Sequence, residues 1–294
     1  MKKLFRPVLD FLLFSNVFMA LCAVAQALVT FHLIGSRPVY AVLGLLFVAT
    51  LAEYNFAILL VKPGAQPLKS PFRRVRWFYS HHRLMITFTI VSVLLMIPLF
   101  FMISMQSRLL LLFLGALCVG YSMPIFTIGE HKFGLRHVPG LKPFLITIVW
   151  TFSCVLFPVL ESQDLHLTSI NMRDTMILIA KRSLLIGALT VPFDIRDLFH
   201  DKKHGLKTVA VAWGEKGAYL FCQALLAGYL ILLFMFRDNG FTIDFWALAV
   251  TVVLMGWLIF RSKWEKNEYY YFFYMDGVLI LQYVMLVAFN FIFK

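Results

Sequence analysis

Apolar residues run in nine long stretches separated by short polar interruptions, with approximate limits 8–34, 39–61, 84–104, 108–128, 141–160, 174–193, 217–236, 243–260 and 271–293. Each is close to the ~20 predominantly apolar residues that an α-helix needs to cross the hydrocarbon core of a bilayer. The pattern predicts an all-α membrane protein with nine transmembrane helices, in one polytopic domain covering residues 1–294. No soluble domain, long linker, low-complexity segment or short-period repeat interrupts it. GxGxxG, Walker, GxSxG, HExxH and paired CxxC patterns are all absent from the sequence.

The polar interruptions alternate in charge. Of the 27 Lys and Arg, 20 fall on the side of the N-terminus when the segments are threaded across a membrane; five fall on the other side, and Lys181 and Arg182 lie inside the sixth segment. That asymmetry is the positive-inside signature, and it puts the N-terminus in the cytoplasm and the C-terminus outside, with the cell inner membrane as the expected location. Its parity requires an odd number of helices. The composition agrees: 61% hydrophobic and only 14% charged residues, where a soluble domain carries about 25% charged. A net charge of +12 would point to nucleic acid in a soluble protein. Here the charges line the membrane side of the loops, so membrane lipids are the expected partners and nucleic acid is not.

The first segment opens like a signal peptide, with Lys2, Lys3 and Arg6 before an apolar run and an AxA match at Ala25 to Ala27. Cleavage is not expected, because the run continues to Ile34 and losing this helix would spoil the charge parity. Asn16 in its middle is a polar group in hydrocarbon, with interhelical hydrogen bonding as its expected role. Cys22, Cys118, Cys154 and Cys222 each lie inside an apolar segment, so neither a disulfide framework nor a zinc site is expected.

The stretch that carries chemistry follows the sixth segment and reads DIRDLFHDKKHGLKT, from Asp194 to Thr208. In a helix, Asp194, Asp197 and Asp201 share one face. Carboxylates held that close repel unless a cation neutralises them. Mg2+ suits the position, since it takes one or two carboxylates together with substrate phosphates and keeps several waters. A solvated helix end can show the same spacing. With Pro192 before it and Gly205, Lys207 and Thr208 after it, the stretch resembles the second Asp-rich motif of the UbiA superfamily of intramembrane prenyltransferases. That resemblance implies a UbiA-like bundle around a central cavity open to the cytoplasm. It also implies Mg2+ at Asp194, Asp197 and Asp201 as metal ligands and catalytic groups.

The second segment departs from that pattern. The superfamily's first motif is NDxxDxxxD; with Asn55 matched to its asparagine, the aspartate positions become Phe56, Leu59 and Pro63. Glu53 is the only carboxylate nearby, and two residues of displacement turn it about 200° away on a helix. A wall that has lost three negative charges needs less cation to hold a diphosphate. Basic residues from the neighbouring loops are the candidates to hold it: Lys62 and Arg73, with Lys202 and Lys207 beside the aspartates and Asn55 at the motif's remaining position.

The basic, aromatic connection from Lys62 to Arg83 is either a cytoplasmic loop meeting anionic headgroups or a lid over the cavity mouth. Tyr121, Ser122 and Pro124 resemble the YSxP element of the superfamily. The resemblance implies that Tyr121 lines the cavity and that Arg136 or Lys142 lies near its mouth. Arg182 stands twelve residues before Asp194, about 18 Å away at ~1.5 Å per residue, too far to touch the same diphosphate. It is expected to pair with a buried acid or to mark the far end of the cavity, while Lys181 snorkels. The run YYYFFY from Tyr269 to Tyr274 reads as an aromatic belt, and Asp276 just inside it as a cavity acid or a solvated carboxylate.

Two functions stay open. One is Mg2+-dependent transfer of a prenyl group from a polyprenyl diphosphate to an aromatic or other lipophilic acceptor in the membrane. The other is a non-catalytic relative that binds or moves an isoprenoid phosphate or quinone.

Overall fold

The computed structural model describes residues 2–60, 67–70, 72–123, 126–128, 131–133, 140–196, 208–238, 240–265 and 267–293. Among the described residues, nine helical spans are long and apolar enough to cross a membrane. They coincide with the nine apolar stretches, but several of their boundaries differ for identifiable reasons.

The first stretch is two helices, α1 (Lys2–Phe14) and α2 (Val17–Ile34). They are separated at Asn16, which takes the left-handed conformation (φ 66°) that Asn tolerates better than most residues. Gly35 (φ 68°) ends α2 in the same conformation, its N–H bonded back to the last turn. The second stretch is α3 (Tyr40–Leu59). Within the basic connection lies a short helix, α4 (Arg73–Ser80), followed at once by α5 (His82–Phe101).

α6 (Met105–Ser122) opens on Ser104, whose side chain accepts from the Ser107 N–H. It stops at Met123, which is extended (φ −100°, ψ 140°) as the residue before a proline is biased to be. The fourth stretch therefore does not stay helical to 128. β1 (Phe126–Ile128) instead pairs antiparallel with β2 (His131–Phe133), Thr127 opposite Lys132.

The fifth stretch is α7 (Leu141–Thr151) and α8 (Phe157–Asp164), joined through one widened turn, Phe152–Leu156. Pro158 explains the turn, because its missing N–H leaves the preceding carbonyls to find wider partners. α9 (Met172–Arg196) is the sixth span. α10 (Val209–Met235) starts eight residues earlier than the apolar pattern predicts, on a Thr208 side chain that accepts from Val211 N–H, and it kinks at Gly214 (φ 71°). α11 (Ile243–Arg261) opens on Thr242. The last span runs through a wide turn, Tyr270–Met275, into α12 (Asp276–Ile292).

α9 is the spine of the bundle, packed chiefly against α10 and also against α7; α2 lies against α12 and α3, and α5 against α3. Leu185, Ala188 and Val191 of α9, Ala218, Cys222 and Leu226 of α10 and Leu248 and Met255 of α11 are buried in the shared core. α5 contributes little to that core. Ile90, Leu94, Leu95 and Ile97 are all at least half exposed, a surface tolerable only against hydrocarbon.

Candidate functional site

The face of α9 that carries Ile186, Leu189, Thr190, Phe193 and Asp194 follows helical spacing, i, i+3, i+4, i+7 and i+8, and lines a cavity of about 250 Å³. α7 supplies the opposite side through Lys142, Pro143, Ile146 and Trp150, again at one-face spacing. Phe272, Asp276 and Leu279 close the cavity from the last span, with Leu13, Asn16, Phe18 and Met19 from the α1–α2 break.

Asp194 is 2% exposed and accepts from Lys142 Nζ at 3.4 Å. Arg196, two residues further on, lies over the rings of Tyr271 (5.0 Å), Phe193 (5.4 Å) and Phe272 (6.0 Å). Asp276 is 5% exposed, and the charges acting on its carboxylate are Arg74 and Arg196. On α3 only Tyr54 reaches the wall among the described residues. Its hydroxyl accepts from Trp150 Nε1 at 3.2 Å.

Arg74 is the residue whose placement the linear sequence least reveals. Its Nη2 donates to Asn16 Oδ1 at 2.8 Å, and Asn16 Nδ2 donates to Asn55 Oδ1 at 2.6 Å. Its guanidinium lies 4.6 Å over the Phe272 ring. Burial pulls its pKa down, and the nearby Tyr54 and Asp276 oppose that. Arg73, beside it, points elsewhere. Adjacent residues on a helix diverge by about 100°, and Arg73 Nη2 meets Asp10 Oδ2 at 2.5 Å with its guanidinium 5.7 Å over Tyr269. The hydrogen bond to Asp10 holds the Arg73 pKa above its ordinary value. Tyr269 also donates to Asp10, and burial together with that contact pushes its phenol up to about 12.

The structure thus gathers Asp194, Lys142 and Asp276 of the expected site residues at one cavity. Of the two adjacent arginines in the basic connection, Arg74 lines the wall and Arg73, the expected diphosphate ligand, does not. Asn55 is buried behind Asn16 and is not part of the lining. Tyr121 is half-buried near the end of α6 and also off the lining. Glu53 turns away to α6, accepting from Ser122 Oγ at 2.8 Å, as helical rotation from Asn55 requires.

Arg182 and Lys181 are buried in mid-span, 2% and 1% exposed, and neither lines the cavity. Lys181 does not snorkel. Its Nζ is held inside the bundle over Phe236 (5.0 Å) and Tyr229 (5.7 Å). The expected contacts of Asp197, Asp201, Lys62, Arg136, Lys202 and Lys207 lie outside the described residues. Asn16, Tyr54, Thr190, Arg196 and Phe272 join the site from the structure; all but Tyr54 had a linear signal, Asn16 as a polar residue in an apolar stretch, Thr190 by its i−4 spacing to Asp194, Arg196 within DIRD and Phe272 within YYYFFY.

Among the described residues no group of three His, Cys, Asp or Glu side chains comes together to hold a metal ion. The chemistry of the donors still fits Mg2+. Asp194 places a buried hard-oxygen donor on the cavity wall, and Mg2+ needs only one or two carboxylates when phosphates complete its shell.

Nine membrane-length spans among the described residues, packed around a cavity that combines carboxylates, cations and apolar walls, define an integral membrane protein of the helical-bundle class. No family model matches the chain, and no curated protein sequence matches it. Solved structures do: the chain has the fold of the UbiA homologues. It aligns with the apo UbiA homolog from Aeropyrum pernix K1 at TM-score 0.66 and 14% identity, over 94% of this chain and 98% of that one. The UbiA homolog from Archaeoglobus fulgidus bound to GPP and Mg2+ aligns at 0.65 and 14%, over 95% and 99%. A digeranylgeranylglyceryl phosphate synthase aligns at 0.57 and 16%, over 98% of each chain.

Proposed function

We propose that this chain is a membrane prenyltransferase, moving a prenyl group from a polyprenyl diphosphate to an aromatic or other lipophilic acceptor, with Mg2+ as cofactor. The observation that carries the reading is the cavity itself. Asp194, Lys142, Arg74 and Arg196 stand on the same lining as Ile146, Trp150, Ile186, Leu189 and Leu279. A prenyl diphosphate has that division, a charged head on a hydrocarbon tail. The fold shared with a homolog bound to GPP and Mg2+ supports the same reading.

In this proposal Asp194, with Asp197 and Asp201, holds Mg2+, which when bound offsets the charge that develops on the departing diphosphate. Arg74, Lys142 and Arg196 donate to phosphate oxygens through charge-assisted hydrogen bonds. Asn16 orients Arg74 through its hydrogen bond. As the allylic C–O bond breaks, the rings of Phe193, Trp150 and Phe272 keep water away from the electron-poor carbon, leaving the acceptor as the nucleophile at hand. Lys62, Lys202 and Lys207 are further diphosphate ligands from the loops. The orientation, with the N-terminus cytoplasmic, rests on the loop charges.

One observation favours the non-catalytic alternative: α3 brings no carboxylate to the wall among the described residues, only Tyr54. Membranes containing the protein, incubated with radiolabelled prenyl diphosphates and a panel of acceptors, decide between the two. Transfer that is lost in Asp197→Ala establishes the enzyme. Diphosphate binding without turnover in the wild type establishes the carrier.

A further inference from the structure

The middle of the bundle contains two buried basic side chains, Arg182 and Lys181, with no acid bonded to them among the described residues. Arg182 Nη2 donates to the Gln26 carbonyl at 3.3 Å, while its Nε and Nη1 have no hydrogen-bond partner. Lys181 Nζ has none either. A guanidinium does not lose its proton in a protein, so Arg182 carries full charge at the centre of a span. That placement costs roughly 2.5–3.5 kcal/mol on insertion scales before any unmade hydrogen bond is counted.

The neighbours do not neutralise it. The groups that act electrostatically on Arg182 are Tyr229 and Cys154, both neutral at ordinary pH. The one carboxylate felt by Lys181 is Asp244, already engaged by His32 Nε2 at 3.0 Å and Asn290 Nδ2 at 2.7 Å. A buried water would satisfy donors but bring no charge. Among the described residues of this layer, three donor atoms and a single acceptor, Gln26 Oε1, are left without a hydrogen-bond partner.

The layer also adjoins the cavity. Arg182 is one helical turn before Ile186, and Gln26 Nε2 donates to the carbonyl of Leu279 at 2.6 Å and to Gln282 Oε1 at 3.2 Å. Ile186 and Leu279 both line the cavity. The polar layer therefore lies just beyond apolar lining residues.

We propose that Arg182, with the unpaired Lys181 Nζ as a second donor, forms a mid-membrane binding site for a monoanion. The occupant is either a small ion from solvent or the carboxylate of an apolar organic acid that arrives through the cavity. Its chemistry is common to both sources: one negative charge and lone pairs that the free edge of the guanidinium can grip. The proposal does not depend on prenyl transfer.

Thermal melting of the purified full chain, at constant ionic strength set with gluconate, tests it with chloride, benzoate and neutral benzamide as probes. A rise in melting temperature with benzoate and not benzamide is expected. A rise with chloride as well identifies a solvent ion, and a rise with benzoate alone identifies an organic acid. In Arg182→Met the apparent affinity falls about tenfold or more, as loss of a hydrogen bond to a charged group requires. Exchanging a buried charge for an apolar side chain of similar volume is often neutral or stabilising, so this variant is expected to fold. If it does not, Lys181→Met is read in its place, with a smaller but measurable loss expected. Equal shifts from benzoate and benzamide, no anion-dependent shift in the wild type, or an undiminished shift in the folded variant overturns the site.

Discussion

Glu268 caps the helix that carries Arg74. Its two carboxylate oxygens accept from the backbone N–H groups of Arg73 (2.8 Å) and Arg74 (3.0 Å), which lie 195 and 194 residues away in the chain. A carboxylate at a helix N-terminus satisfies orphan donors and meets the positive end of the dipole. The contact fixes the start of α4, and thereby the direction in which Arg74 enters the cavity. Glu268→Ala is expected to cost about 0.5–2 kcal/mol, the usual range for a lost cap, and to weaken prenyl diphosphate binding through Arg74. Melting and ligand titration of the same preparation check the pair of effects; a stability loss with unchanged binding would separate the cap from the cavity.

Arg74 and Arg73 give opposite expectations although they are neighbours in sequence. Arg74→Met removes hydrogen bonds to a charged ligand, worth about 1.5–3 kcal/mol, so binding of a prenyl diphosphate should fall roughly 10- to 100-fold. Arg73 is more than a third exposed in its pair with Asp10, and exposed pairs contribute about 0–1 kcal/mol. Arg73→Ala should therefore change binding far less. Equilibrium binding to each purified variant decides between them.

Asp194→Asn keeps the shape of the side chain and removes its charge. It should lower transfer by about 10²–10³, the scale of losing one preorganised electrostatic contact at a reacting centre, and raise the Mg2+ concentration needed for half-maximal rate. Transfer assays across a Mg2+ series read both. An Asp194→Asn enzyme with unaltered Mg2+ dependence would place the ion elsewhere.

The break at Asn16 separates backbone strain from hydrogen bonding. Asn16→Gly relieves the left-handed backbone but loses the bonds to Asn55 and Arg74; Asn16→Ala loses both. The alanine variant should be the less stable of the two by about 1 kcal/mol or more, from the cost of φ > 0 with a Cβ. Both should weaken diphosphate binding alike, because each frees Arg74. Melting temperatures and binding constants of the two variants side by side measure this.

Hydrophobic segment length was enough to set the number of spans, because hydrocarbon demands about 20 apolar residues per helix whatever the neighbours are. The resemblance at DIRDLFHDKKHGLKT likewise pointed to the fold that the solved UbiA homologues share. Local chemistry explains departures that length alone misses: Asn16 divides one span, Met123 before Pro124 ends another, and Pro158 widens a turn. Thr190 and Asp194 were legible as one face, since helical period is a property of a single segment.

Which arginine enters the cavity was decided only by tertiary contacts. Arg73 and Arg74 carry the same charge at adjacent positions, and their roles differ because Glu268, Asp10 and Asn16, from three distant places, set the rotation of α4. The same holds for Asp276 and Tyr54, whose surroundings come from helices remote in the chain. Periodicity and span length are written within one segment, whereas the partner of a polar side chain is fixed by how the spans pack together.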